Sequence, residues 1–140
     1  MTQEDKKLLI KDLSARFPYG VIVKIIDTKS MFDAYIDGIR LEVIEITPID
    51  IDKLDFIPYS FYSIVNIKPY LRPLSSMTEE ENKELSDQLN NDELLTGNLS
   101  KTIALHCCVV TDFMCKHHFD YRNLIDKGLA LIAPEEMYGM

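Results

Sequence analysis

The sequence predicts an α+β fold: an antiparallel sheet of about three to five strands from residues ~20–70, packed with an N-terminal helix and C-terminal helices. Three observations carry that expectation. A capped amphipathic stretch opens the chain, short β-rich runs follow it, and from Thr78 onward the signals are helical. At 140 residues the chain is near the commonest size for one core, so a single globular domain over 1–140 is expected.

Thr2 with Asp5 three residues later forms a capping-box pattern, and Leu9, Leu13 and Phe17 recur at helical spacing. They predict a helix over about residues 3–15, stopped by Pro18-Tyr19-Gly20. The runs 21–26, 31–36 and 39–46 read as strands, the last with Leu41 and Val43 on one side and Arg40 and Glu42 on the other. Asp37-Gly38 between two of these runs is expected to form a two-residue hairpin turn, because a type I′ turn needs positive φ at both central positions. Residues 48–58 are acidic and irregular, which suggests a loop, and 61–67 is apolar and aromatic enough for another strand. In IKPYLRPLSSMTEEE, Pro69 and Pro73 remove two backbone donors, so this segment is expected to lie outside the middle of the sheet.

Thr78 with Glu81 is a second capping box and predicts a polar helix over about 79–90, with Leu85 and Leu89 as its apolar stripe. Asn90-Asn91-Asp92 and Thr96-Gly97-Asn98 punctuate the next stretch. Ser100 can cap a third helix striped by Ile103, Cys107, Val110, Met114 and His117. A strand over 102–110 is the alternative, and the helix is preferred because its spacing persists for about four turns. Asp120 can cap a short fourth helix ending at Lys127-Gly128. Residues 129–133 read as a short buried segment or an added strand, stopped by Pro134.

The net charge is −8 with the Lys and Arg residues scattered, so no nucleic acid partner is expected. The longest apolar run, 103–110, is interrupted by His106 and is too short for a bilayer, so no membrane partner is expected either. The charged N-terminus lacks a signal-peptide core, and three cysteines within nine positions read as reduced thiols. A cytoplasmic location follows as an expectation.

His106, Cys107, Cys108, Cys115, His117 and His118 form the one metal-capable group. Zinc takes four ligands in a tetrahedron from separate elements, which a single helix cannot supply. Core packing of the cysteines is the preferred reading, and no metal is expected. Asp50, Asp52 and Asp55 resemble a calcium loop but lack its sixth-position glycine and distal glutamate. With no Gly-rich phosphate loop, no H-E-x-x-H and no G-x-S-x-G, no cofactor is expected. What remains is Tyr70 and Arg72 in KPYLRPL, with Asp120, Tyr121 and Arg122 after Phe119. Tyr and Arg are enriched in binding hot spots, and a proline-stiffened segment presents them at low entropic cost. The alternative is structural: Arg72 pairs with Asp120 or another acid while the tyrosines close the edge of the core.

Through the blocks DKKLLIKDLSARFPYGVIVK, IKPYLRPLSSMTEEE and HHFDYRNLIDKGLALIAPEEMY, the chain resembles a family of small uncharacterised proteins of gut anaerobic bacteria and their phages or mobile elements. Members of that group often carry Met at the place of Leu74 and Gly at that of Asn123, so this chain lacks a flexible point there. The resemblance implies a cytosolic accessory protein and supplies no activity, substrate or cofactor. The leading expectation is a non-catalytic protein-interaction module with an unknown protein partner. The alternative is a small enzyme with a dispersed acid–base site, in which Asp120 and Arg72 are the suspects. A deep pocket holding a carboxylate of raised pKa favours the enzyme; a shallow aromatic patch favours the module.

Overall fold

The structure, a computed structural model, describes residues 1–28, 30–91 and 97–139. Helix α1 (Gln3–Arg16) is followed by strands β1 (Ile22–Asp27), β2 (Ser30–Arg40), β3 (Val43–Pro48), β4 (Phe61–Ser63) and β5 (Ile67–Leu71). Helices α2 (Glu79–Leu89) and α3 (Leu99–Lys116) come next, and the two-residue strand β6 (Leu131–Ile132) closes the order. The fold is therefore α+β, with an N-terminal helix, C-terminal helices and one sheet of six strands rather than three to five. The strands run β4-β3-β2-β1-β5-β6. Each neighbouring pair is antiparallel except β5 and β6, which are parallel.

Both capping boxes form. Thr2 accepts from the Asp5 N–H while the Asp5 carboxylate accepts from the Thr2 N–H, and Thr78 with Glu81 repeats the arrangement at α2. A short 3₁₀ turn at Phe17–Tyr19 ends α1, with Gly20 in the left-handed conformation, and leaves Phe17 exposed rather than on the helix stripe. Alternation along the strands sorts the sheet into two faces. Val23, Ile25, Phe32, Ala34, Ile36, Ile44, Ile46, Ile67 and Leu71 pack with Leu9 and Leu13 of α1, and Leu124, Leu129 and Ala130 close the same core. On the other face Ile22, Tyr70 and Ala133 form a small cluster under Met137 and Tyr138.

Several expectations are corrected. Asp37-Gly38 is not a turn, because β2 runs straight through it with an irregularity of register between Ile36 and Gly38. The Asp37 carboxylate there accepts a hydrogen bond from the Thr47 hydroxyl, which holds the extra residue in the strand as a bulge. The reversal falls at Leu41 and Glu42 instead, between paired Arg40 and Val43. Leu41 sits there at φ 50. Residues 67–71 also contradict the expectation for the proline segment, since β5 lies between β1 and β6. The ladder to β6 starts only at Tyr70, after Pro69, so the missing donor does not interrupt it.

Helix, not strand, forms over 102–110, and Asn98 rather than Ser100 caps it by accepting from the Lys101 N–H. Its burial departs from the predicted stripe: Phe113 and Cys115 are buried, whereas Ile103 and Cys107 face solvent. Among the described residues no fourth helix follows Asp120. Its carboxylate accepts from the N–H groups of Leu124 and Ile125, but residues 124–128 form turns. Asn123 at φ 61 breaks the right-handed run, and Gly128 at φ 72 ends it. A glycine at position 123 would reach that left-handed conformation without strain, and asparagine tolerates it better than most residues.

Leu41 carries a testable strain. A leucine in the left-handed region costs roughly 1–2 kcal/mol that glycine avoids, and this side chain is 91% exposed, so little packing is lost with it. Leu41→Gly is expected to raise the urea midpoint by the equivalent of about 0.5–1 kcal/mol, after glycine's larger unfolded-state entropy is subtracted. An unchanged or lower midpoint would mean that the turn is not strained.

Candidate functional site

The sequence candidates converge on Phe119. Arg72, one residue beyond β5, forms a bridge with it: the Arg72 N–H donates to the His118 carbonyl and the Asp120 N–H to the Arg72 carbonyl, each at 2.8 Å. The Arg72 guanidinium lies 4.2 Å from the centroid of the Phe119 ring and is buried. It donates to both Glu81 oxygens at 2.7 Å, and also to the carbonyls of His117 and Ser76. Such a fork-to-fork pair is stronger and more directional than a lysine contact. With the Arg72 hydrogen bonds as the main cause, the Glu81 carboxyl is held down at about 2.

A second cluster meets Phe119 at its backbone carbonyl. Arg16 and Asp12, four residues apart on α1, are both fully buried and joined at 2.7 Å. The Arg16 guanidinium also donates to the Phe119 carbonyl at 2.6 Å. Arg122 Nε approaches the other Asp12 oxygen at 3.3 Å. The half-buried Tyr121 ring carries the Arg16 and Arg122 guanidinium carbons at 5.2 and 4.9 Å from its centroid. Its hydroxyl lies 3.6 Å from Cys115 Sγ. Burial pushes the Asp12 carboxyl up, with Arg16 and then Arg122 opposing it.

The fold thus brings Arg72, Asp120, Tyr121 and Arg122 around one phenylalanine, and it sends Tyr70 elsewhere. The Tyr70 hydroxyl donates to Asp33 on β2 at 2.7 Å, and its carbonyl accepts from the Tyr138 hydroxyl at 2.8 Å. Burial, then the hydrogen bond to Asp33, raises the Tyr70 pKa. Asp33, Glu81, Asp12 and Arg16 complete these contacts; sequence reasoning marked Glu81 only as a helix cap and did not single out the other three. Only the i,i+4 spacing of Asp12 and Arg16 could have signalled one of the pairs.

His118, weighed in the sequence only as a metal candidate, has a backbone role instead. Its N–H donates to the Cys115 carbonyl and the Phe119 N–H donates to that of Met114, the Schellman pattern that ends α3. Glycine usually fills that position, yet here a histidine stands at φ 63, its ring stacked on Tyr138 at 3.6 Å. Burial lowers its pKa to about 4. Among the described residues, no three His, Cys, Asp or Glu side chains group as metal ligands. Cys107 and Cys108 are exposed, Cys115 is buried, and Asp50 pairs with Lys53.

Open features lie both beside Arg72, where a cleft of about 460 Å³ is also lined by Pro73, Ser76, Thr78, Ile132, Ala133 and Glu135, and along the start of β2 and the 48–62 excursion. One cleft of about 540 Å³ is lined by Asp27, Asp55, Phe56, Ile57, Tyr59 and Tyr62. Its neighbour, about 230 Å³, is lined by Met31, Phe32, Ile49, Asp50, Lys53 and Leu54. Met31, Ile49, Ile51, Ile57 and Tyr59 are exposed on or beside this rim, Ile57 almost completely at 95%. The Tyr59 N–H donates to the Tyr62 hydroxyl, and the two rings meet edge to face at 5.9 Å. Among the described residues no helix is long and apolar enough to cross a membrane. Comparison with protein-family models, curated proteins and solved structures finds no match to this chain.

The titrations predict acid lability. The folded His118 value, about 4, lies below its ordinary 6.5, so the unfolded chain binds the extra proton and stability falls as the pH drops through that window. Glu81 acts in the same sense from its ordinary 4.5 down to about 2. Asp12, raised rather than lowered, opposes them in the carboxylate range. Urea midpoints should therefore fall from pH 6.5 to 4 in the parent and fall less in His118→Asn, which retains tolerance of positive φ. Parallel profiles would remove His118 from the account.

Proposed function

We propose that this protein is a non-catalytic protein-interaction module, a cytoplasmic accessory protein of the phage or mobile-element kind that its sequence blocks resemble. The observation that carries this reading is the rim of exposed Met31, Ile49, Ile51, Ile57 and Tyr59 around two neighbouring clefts. Apolar and aromatic side chains gathered at one place, rather than scattered singly, mark binding surfaces. Tyr59 is held in place by its backbone bond and ring contact with Tyr62, so little ordering cost accompanies its use as an anchor. Asp27, Asp50 and Asp55 line the same clefts and favour a partner with basic residues around an apolar centre.

The acid–base alternative has less to stand on. Asp12, the carboxylate that burial pushes up, has no exposed surface and is committed to Arg16. Asp120 spends its oxygens on the backbone of Leu124 and Ile125. Of the sequence candidates, Tyr121 and Arg122 keep some exposure and can border a partner, while Tyr70, Arg72 and Asp120 are buried among internal contacts.

The test is comparative capture. Ile57→Asp with Tyr59→Ala alters two exposed side chains and is expected to leave stability within about 0.5 kcal/mol. Mass spectrometry of proteins retained from source cells should show a partner held by the parent and lost by the variant. A partner retained equally by both would move the binding surface off this rim.

A further inference from the structure

Helix α3 is apolar almost all round, yet half of its residues are exposed. The ten residues 102–111 contain no Asp, Glu, Lys or Arg, while the helix buries only Phe113 and Cys115 near its end. A helix hydrophobic on every side is normally an interior one. Here Thr102, His106 and Val109 are partly buried, and the His106 ring reaches the Leu89 carbonyl of α2 at 3.2 Å. The opposite side is open to solvent: Ile103 at its edge is 53% exposed, and Ala104, Cys107 and Cys108 are exposed beside it. Small side chains (Ser100, Ala104, Cys108, Thr111) run along its centre, where another backbone can come close.

Two charges bracket this face. Lys101 and Asp112 are exposed and separated by eleven residues, about three turns, so they share one side of the helix. Neither takes part in an ion pair among the described residues. Turning a second α3 antiparallel about the midpoint, beside Cys107, sets Lys101 of each copy opposite Asp112 of the other. The face is therefore complementary to itself in charge as well as in its apolar centre, which is what a two-fold interface demands.

We propose that the occupant of this face is a second copy of the chain, packed α3 against α3 in antiparallel two-fold symmetry with Cys107 near the axis. The idea does not rest on the rim of 48–62, and its test is separate. Analytical ultracentrifugation of the parent should show a reversible monomer–dimer equilibrium. Lys101→Glu and Asp112→Lys each place like charges opposite one another at two symmetry-related points, and each should weaken the dimer at least about tenfold. Their combination should restore dimerisation, because the swapped charges again face opposite signs. In a Cys108→Ser background a short bis-maleimide should link two chains through Cys107, and Ala104→Arg should abolish the link. A parent that stays monomeric at millimolar concentration overturns the proposal. So does a dimer indifferent to the single charge reversals, or one that the double reversal fails to restore.

Discussion

Arg16→Ala is expected to lower stability by about 3–5 kcal/mol, the loss typical when one partner of a buried ion pair is removed. The reason lies in what is left behind. Asp12 is fully buried and its Oδ2 takes the Arg16 Nε–H at 2.7 Å, so without Arg16 it depends on Arg122, 3.3 Å away and not aligned for a hydrogen bond. The Phe119 carbonyl also loses the donor that reaches it at 2.6 Å. Asp12→Ala should be as harmful, because it strands the Arg16 charge where no water reaches. The pair itself need not be stabilising. Arg16 Nη1 and Asp12 Oδ1 have no hydrogen-bond partner among the described residues, so its desolvation is incompletely offset. Asp12→Leu with Arg16→Met should accordingly recover much of either single loss. Chemical denaturation of Asp12→Leu, Arg16→Met and the double closes the cycle. Losses that simply add would show that the two residues act independently.

This cluster also shows what the sequence could and could not convey. Periodicity and caps placed α1 and α2 almost to the residue, because Thr2–Asp5 and Thr78–Glu81 are local devices that need no tertiary partner. Asp37-Gly38 misled because its local preference for a turn lost to the sheet: Thr47, ten residues on, holds Asp37 in a bulge, and Leu41 accepts the strained position instead. The α3 stripe shifted for a related reason. Which side of an all-apolar helix turns inward depends on what packs against it, and α2 is itself too polar to signal a preference. The meeting of Arg72 and Asp120 was legible, since backbone pairing joins them at Phe119, whereas Tyr70 lies apart at Asp33. The partners of these side chains were not legible. Glu81 was marked by the sequence as a cap, and nothing local indicates that the same carboxylate receives Arg72.

Arg72→Ala is expected to cost about 2–4 kcal/mol, a drop in melting temperature of roughly 10 °C for a chain of this size. One guanidinium ties together the end of β5, the turn at Ser76, the first turn of α2 through Glu81 and the last turn of α3 through His117. Helix α2 buries no residue of its own, so this clamp and its contact with α3 are what hold it to the sheet. The loss is smaller than at Arg16 because Glu81 is partly exposed and can be rehydrated once its partner has gone. Arg72→Lys should recover at most about half, since an ammonium cannot bond both carboxylate oxygens in parallel. Hydrogen exchange locates the effect: amides of α2 should open far more than those of β1 and β2, whose ladder Arg72 does not touch. A binding role for Arg72 predicts the reverse, an unchanged melting temperature with a partner lost on capture. Uniform loosening of every element would deny the clamp while leaving Arg72 structural, so the three outcomes separate the guanidinium's possible roles.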